Sequence, residues 1–319
     1  MAVAAELVHW LLEDSDPSVR FRTYEGVLGR SAGDGELEAA RADIGHTGWA
    51  ERIMALQLPE GQWDSPGTSS DELYWPKYIA TNWRLLVLAD LGLTRSTPAI
   101  DRAIRLVLGR WGGPDGCFGG AGSETCITGN ALRLFWQVGA SETPEADGAT
   151  QWLVEQQKAD GGWHCFPSER GSLDGWEALA AFAHIPRPKR SAAVQRAVER
   201  GAEFYLERGL LQENGLSYAP WRRLHYPVHY YYDLLVGLDF LTRLGYARDE
   251  RLRVPLEILE GLRGADGRWT MGPLHPDLAE EAEYGVRTPY YPFALEPAGV
   301  PSRWITLSAL RVLLEAGRI

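Results

Sequence analysis

Four short segments of the chain share one frame: QLPEGQW (57–63), GGPDGCF (112–118), QKADGGW (157–163) and RGADGRW (263–269). Each runs from an acidic residue through glycine and one further residue to a large aromatic, Trp63, Phe118, Trp163 or Trp269. A degenerate fifth copy, QENGLSY (212–218), ends on Tyr218 and has Asn214 in place of the acid. Gln57, Gln157 and Gln212 each stand six residues before their aromatic. Successive aromatics are separated by 55, 45, 55 and 51 residues. A period near fifty marks one supersecondary unit used repeatedly, because a single unit cannot bury its own apolar face.

Asp-Gly and Gly-Gly supply the positive φ of a turn, so the repeats are turns. The flanking segments read as helices. Amphipathic ones precede the turns, as in Ile100-Ala103-Ile104-Val107-Leu108 and Val194-Ala197-Val198-Ala202-Tyr205. More apolar ones follow and stop at glycine: TNWRLLVLADLG (81–92), TGNALRLFWQVG (128–139) and TLSALRVLLEAG (306–317). Thr at the head of each reads as a helix start and Gly as a C-terminal stop. The pattern predicts apolar helices over 17–29, 75–91, 124–138, 173–185, 229–244 and 302–316. Amphipathic helices are predicted over 3–13, 36–56, 97–110, 144–157, 191–208 and 249–263. Six buried helices alternating with six covering ones predict an all-α chain, residues 1–319 forming a single α/α toroid. An open solenoid of helix pairs is the competing arrangement.

Composition narrows the function. A net charge of −11 argues against a nucleic-acid partner. No long apolar run predicts a membrane span, and MAVAAELVHWLLEDSD has neither the basic start nor the cleavage site of a secretory signal. Three cysteines in a chain of this length fit a reducing compartment, so a cytoplasmic location is expected.

The Q-x-x-D-G-x-W frame between helix pairs resembles the prenyltransferase/squalene-oxidase (QW) repeat, shared by terpenoid cyclases and protein prenyltransferase β subunits. The resemblance covers about residues 50–317. It implies a toroid around an aromatic-lined cavity, a hydrophobic and isoprenoid-like small-molecule substrate, and a scaffold role for Gln57, Trp63, Gln157, Trp163 and Trp269. Aromatics at the starts of the apolar helices are then the substrate-lining candidates: Tyr74, Trp75, Tyr78, Trp176, Tyr230, Tyr231 and Trp304. Such rings stabilise cations by their π faces.

The chain lacks the D-x-D-D acid of class II cyclases and the D-D-x-x-D of class I enzymes. Asp14-Ser15-Asp16-Pro17 is the nearest string, and there Pro17 opens a helix, so Asp14 or Asp16 reads as its cap. Protein prenyltransferases bind zinc through Asp, Cys and His. Against that pattern Asp174 matches the family Asp, Trp176 stands where the family has Cys, and His229-Tyr230-Tyr231-Tyr232 matches the H-x-x-Y of the family His. Cys126 and Cys165 supply thiols near the same rim. The resemblance thus implies Asp174, His229 and Cys126 as catalytic candidates, and Cys126, Cys165, Asp174 and His229 as a zinc set with one open position. Without metal, Asp174 and His229 form an acid/base pair. Cys117 reads as structural. Lys77, Arg170, Arg222 and Arg223 are the basic residues placed to meet a diphosphate, or are surface charges. A partner subunit, as prenyltransferase β chains require, has no counterpart in this sequence. The proline-rich stretch 270–303 is either a lid or a rigid cover. A zinc-dependent thiol transferase and a non-catalytic binding toroid are the alternatives to the enzyme acting on a hydrophobic molecule.

Overall fold

The computed structural model describes residues 3–13, 15–63, 73, 78, 80–111, 124–229, 231–273 and 295–319. Thirteen α-helices form among them: α1 Ala5–Leu12, α2 Pro17–Gly26, α3 Gly35–Asp43, α4 Gly48–Met54, α5 Thr81–Leu91, α6 Pro98–Trp111, α7 Thr125–Val138, α8 Pro144–Glu155, α9 Glu177–Ala183, α10 Ala192–Glu207, α11 Leu234–Leu244, α12 Arg253–Gly261 and α13 Arg303–Glu315. Short 3₁₀ turns at Leu173–Gly175 and Glu250–Leu252 precede α9 and α12, and another covers Ala219–Arg222. The described residues contain isolated β-bridges but no strand.

Local chemistry sets the helix ends. Pro17 occupies the first turn of α2, and the Asp16 carboxylate caps it by accepting from Ser18 N at 2.9 Å. Asp16 therefore has the capping role; Asp14 lies outside the described residues. The helices α5, α7 and α11 stop on Gly92, Gly139 and Gly245 in the left-handed region, the conformation glycine adopts without penalty. The single helix expected over 36–56 is two, because Gly45 (φ 91°) and Gly48 (φ 78°) break it. A Cβ at Gly48 would lie 2.2 Å from the Asp16 carboxylate, which also accepts from Trp49 N. Similarly, the helix expected from 229 begins at Leu234. Asp233 caps it through Val236 N, and His229 has φ 50°.

The repeat turns are clasps. The indole N–H of Trp63, Trp163 and Trp269 each donates to the carbonyl ten residues earlier: Ile53 (2.8 Å), Leu153 (2.8 Å) and Leu259 (2.7 Å). All three rings are at most 1% exposed. Gln57 Nε2 donates to Gly61 O and Ala99 O; Gln157 repeats this with Gly161 O and Ala197 O. Gly61 and Gly161 lie against the backbone of Arg102 and Arg200, where a Cβ would come within 3.2 and 2.5 Å of the carbonyl oxygen. Thr81 and Thr306 prove to be part of the clasp: their hydroxyls accept from Trp63 N and Trp269 N. Thr81 also opens its helix, whereas Thr128 and Thr306 lie inside theirs.

The fifth copy departs from this. Tyr218 is 52% exposed, while Trp221, three residues on, is buried. The second copy's aromatic, Phe118, and Cys117 lie outside the described residues.

The residues sort into two compact units. One holds Met1–Ala103, Arg223–His229 and Leu259–Ile319; the other holds Ile104–Arg222 and Tyr230–Ile258. In the first, α2 packs on α1, α3 and α13. Arg303 of α13 donates to the carbonyls of Trp10 and Glu13 at the end of α1. In the second, α7 packs on α8 and most closely on α9, and α10 packs on α8, α9 and α11. The α7–α9 approach depends on Gly129, where a Cβ would stand 2.6 Å from the backbone carbon of Glu177. No helix of the described residues is long and apolar enough to cross a membrane.

Candidate functional site

In the second unit, polar side chains gather where the chain enters α7 and α9. The 3₁₀ turn Leu173–Gly175 is fixed from three sides. Ser172 Oγ accepts from Asp174 N (3.1 Å), Tyr205 OH donates to Leu173 O (3.1 Å), and Gly175 lies so close to the Trp163 carbonyl that a Cβ would be 2.1 Å away. This holds Asp174 in place. Its Oδ1 accepts from the indole Nε1 of Trp221 at 3.3 Å, and Trp221 stands edge-on to Tyr232 and Tyr218. Asp174 itself is exposed to solvent. Desolvation raises its pKa above the usual carboxylate value, and the Trp221 hydrogen bond offsets part of that shift. The outcome is an acid that holds its proton more firmly than an unperturbed Asp while remaining reachable.

Glu177 follows one turn later. It is 1% exposed, and neither carboxyl oxygen has a hydrogen-bond partner. Burial first, then the neighbouring Cys165, pushes its pKa well up. Trp176 is buried beside it, with the Arg133 guanidinium 5.7 Å over its ring.

Cys126 and Cys165 come together at the first turn of α7. Thr125 Oγ1 donates to His164 O (2.9 Å) and lies 3.9 Å from Cys165 Sγ; Cys126 Sγ is 3.6 Å from Glu124 Oε2. The hydrogen bond Cys126 gives to Cys165 raises the Cys126 pKa, with burial adding to it, and the same bond lowers that of Cys165. Both thiols are free.

His229 and Tyr78 belong to the first unit. His229 is buried, 4.9 Å from the Tyr78 ring and 5.5 Å, edge-on, from Trp83. Both His229 and Tyr78 have left-handed backbone, φ 50° and 72°. Such geometry is costly for non-glycine residues and persists only where packing imposes it. Trp304 stacks on Tyr226 at 4.4 Å, and the Glu296 carboxylate accepts from the Arg303 and Trp304 amides at the head of α13. Tyr231 is half-buried in the second unit. Tyr74, Trp75, Lys77 and Tyr230 lie outside the described residues, as does most of the 270–303 connection.

Among the described residues no three His, Cys, Asp or Glu side chains form a group able to hold a metal. Cys126 and Cys165 supply two adjacent donors, whereas Asp174 is engaged by Trp221 and His229 sits among aromatic rings. The donor set therefore does not fit zinc. Sequence reasoning missed Glu177 and Trp221. The available signal was weak: an acid three residues after Asp174, and a tryptophan three residues after the degenerate repeat.

No protein-family model matches the chain, and no curated protein matches it in sequence. Solved structures do. A polysaccharide lyase is 12% identical, with 97% of this chain and 95% of that chain covered, at a TM-score of 0.52. A protein from Actinoplanes is 17% identical over 95% of this chain and 90% of its own, at 0.47. A variant of the type II terpene cyclase MstE from Scytonema, in complex with geranylgeranyl dihydroxybenzoate, is 16% identical over 83% and 94%, at 0.30. Of these, the lyase is near enough in backbone to establish a shared helical fold. At such identity the likeness concerns the fold and leaves the chemistry to the site.

Proposed function

We propose that the chain is an enzyme of terpenoid cyclase/prenyltransferase-like character, one α/α toroid that carries out proton transfer on a hydrophobic, isoprenoid-like small molecule. Asp174 is the proton donor, and Cys126 lines the thiol-bearing side of the site in the same unit. Of the aromatic candidates, Trp176 and Tyr231 belong to the same unit as Asp174 and would stabilise developing positive charge through their π faces. One observation carries the reading. Asp174 combines an accessible edge, a carboxyl pushed toward its protonated form by desolvation, and an indole hydrogen bond that fixes its direction. Acids with a raised pKa serve as proton donors. A zinc-dependent thiol transferase gains no support from the donor geometry, and the lyase likeness assigns no substrate.

The test uses squalene, farnesol and geranylgeraniol incubated with the purified protein, products being identified by mass spectrometry. Asp174→Asn should lower turnover by about a hundredfold or more, with an unchanged thermal melt. Full activity in that variant, or no conversion of any of the three by the unaltered protein, sinks the assignment.

A further inference from the structure

Helix α7 is apolar along most of its surface, yet one stripe is not. Cys126, Asn130, Arg133 and Gln137 follow at spacings of four, three and four residues, which places them along one face. The first three are buried. Asn130 Oδ1 and Arg133 Nε have no hydrogen-bond partner, and neither carboxyl oxygen of Glu177, at the α7–α9 crossing, has one either. Arg133 forms no salt bridge with any described residue; its guanidinium rests over the Trp176 face, with Glu177 near enough to feel its charge. An apolar helix that buries an arginine without an ion pair leaves its charge incompletely compensated, at a cost that water or a ligand has to offset.

We infer that this stripe is the head-group subsite for the small molecule, and that it takes a single carboxylate held by the Arg133 guanidinium beside Asn130. This rests on the reading that the second unit's polar cluster binds an apolar substrate, and it adds that the substrate is amphiphilic. The planar guanidinium matches a carboxylate through two parallel hydrogen bonds. The count of charges decides against a more highly charged group. The stripe offers one cation, so a diphosphate would bury charge with nothing to balance it. The apolar remainder of the ligand lies toward Trp176.

Calorimetric titration with decanoate, decan-1-ol and decyl phosphate at pH 7.5 tests this. Decanoate should bind at least tenfold more tightly than decanol, and more tightly than decyl phosphate. Arg133→Gln should bring decanoate within twofold of decanol while leaving decanol affinity unchanged. Arg133→Lys should retain part of the preference, because it keeps the charge and loses the fork. Should Arg133→Gln fail to give a cooperative melt, Arg133→Lys decides: a selective loss of decanoate affinity supports the subsite, and an equal loss of both ligands overturns it. Equal binding of decanoate and decanol, no decanoate binding, tighter binding of decyl phosphate, or a preference untouched by Arg133→Gln each overturns it. In the last three cases, or if water alone fills the stripe, the acid role of Asp174 stands or falls separately on the turnover of Asp174→Asn. Conversely, a fully active Asp174→Asn that keeps the decanoate preference overturns the acid role alone.

Discussion

Two kinds of buried group at the residue scale behave differently when altered. Trp163 packs a completely buried ring and spends its N–H on the Leu153 carbonyl. Trp163→Phe keeps most of the packing and orphans that carbonyl, so it should cost about 1–3 kcal/mol in urea unfolding. Trp163→Ala adds a cavity and should cost about 3–5 kcal/mol. Glu177 is the opposite case, a polar group whose native surroundings disfavour its charge. Its folded pKa lies above the unfolded value of about 4.3, so the folded state holds the proton more tightly. Stability is therefore greatest below the unfolded pKa and declines as pH rises from there toward the folded pKa. Glu177→Gln, which cannot ionise, should be more stable than the unaltered chain at pH 7. The difference should vanish near pH 4; urea midpoints at the two pH values measure it.

At the element scale, the contact between α7 and α9 is a backbone-to-backbone approach, permitted because residue 129 has no side chain. Gly129→Ala should destabilise by about 1–3 kcal/mol, since overpacking here has only backbone to push against. It should also weaken ligand binding, because α9 carries Glu177, with Trp176 at its head, beside the α7 stripe. A thermal melt together with decanoate titration reads both effects. The cap of α2 gives a smaller and separable effect. Asp16 accepts from Ser18 and Trp49, so Asp16→Ala removes a helix cap and its tie to α4 together. A loss of about 1–2 kcal/mol without any change in ligand binding is expected.

For the whole molecule, the two compact units share helices: α6 and α12 each contain residues of both. A helix is a cooperative element, so melting one unit frays a helix on which the other depends. The clasps of Gln57 and Gln157 belong to different units. Gln57→Ala and Gln157→Ala should each lower the same calorimetric transition, and the double variant should show one peak. Two separated peaks would count against the single domain proposed for residues 1–319.

The sequence by itself determined that the chain is helical and where most of its helices lie. Asp-Gly turns, stop glycines and apolar periodicity are short-range signals, so all six apolar segments and the clasp tryptophans were legible from spacing. What escaped it was set by contacts between residues far apart in the chain. Gly48 breaks the 36–56 helix because Asp16 lies against it, and Thr306 serves the Trp269 amide across 37 residues. The candidate site was legible in half. Asp174 and the two cysteines could be named from motif position, but the raised pKa of Asp174 comes from desolvation by the surrounding protein. The stripe on α7 acquired meaning only when α9 was seen to cross it at Gly129. Hydrogen-bond satisfaction and desolvation depend on which distant atoms converge, and local spacing carries no record of that.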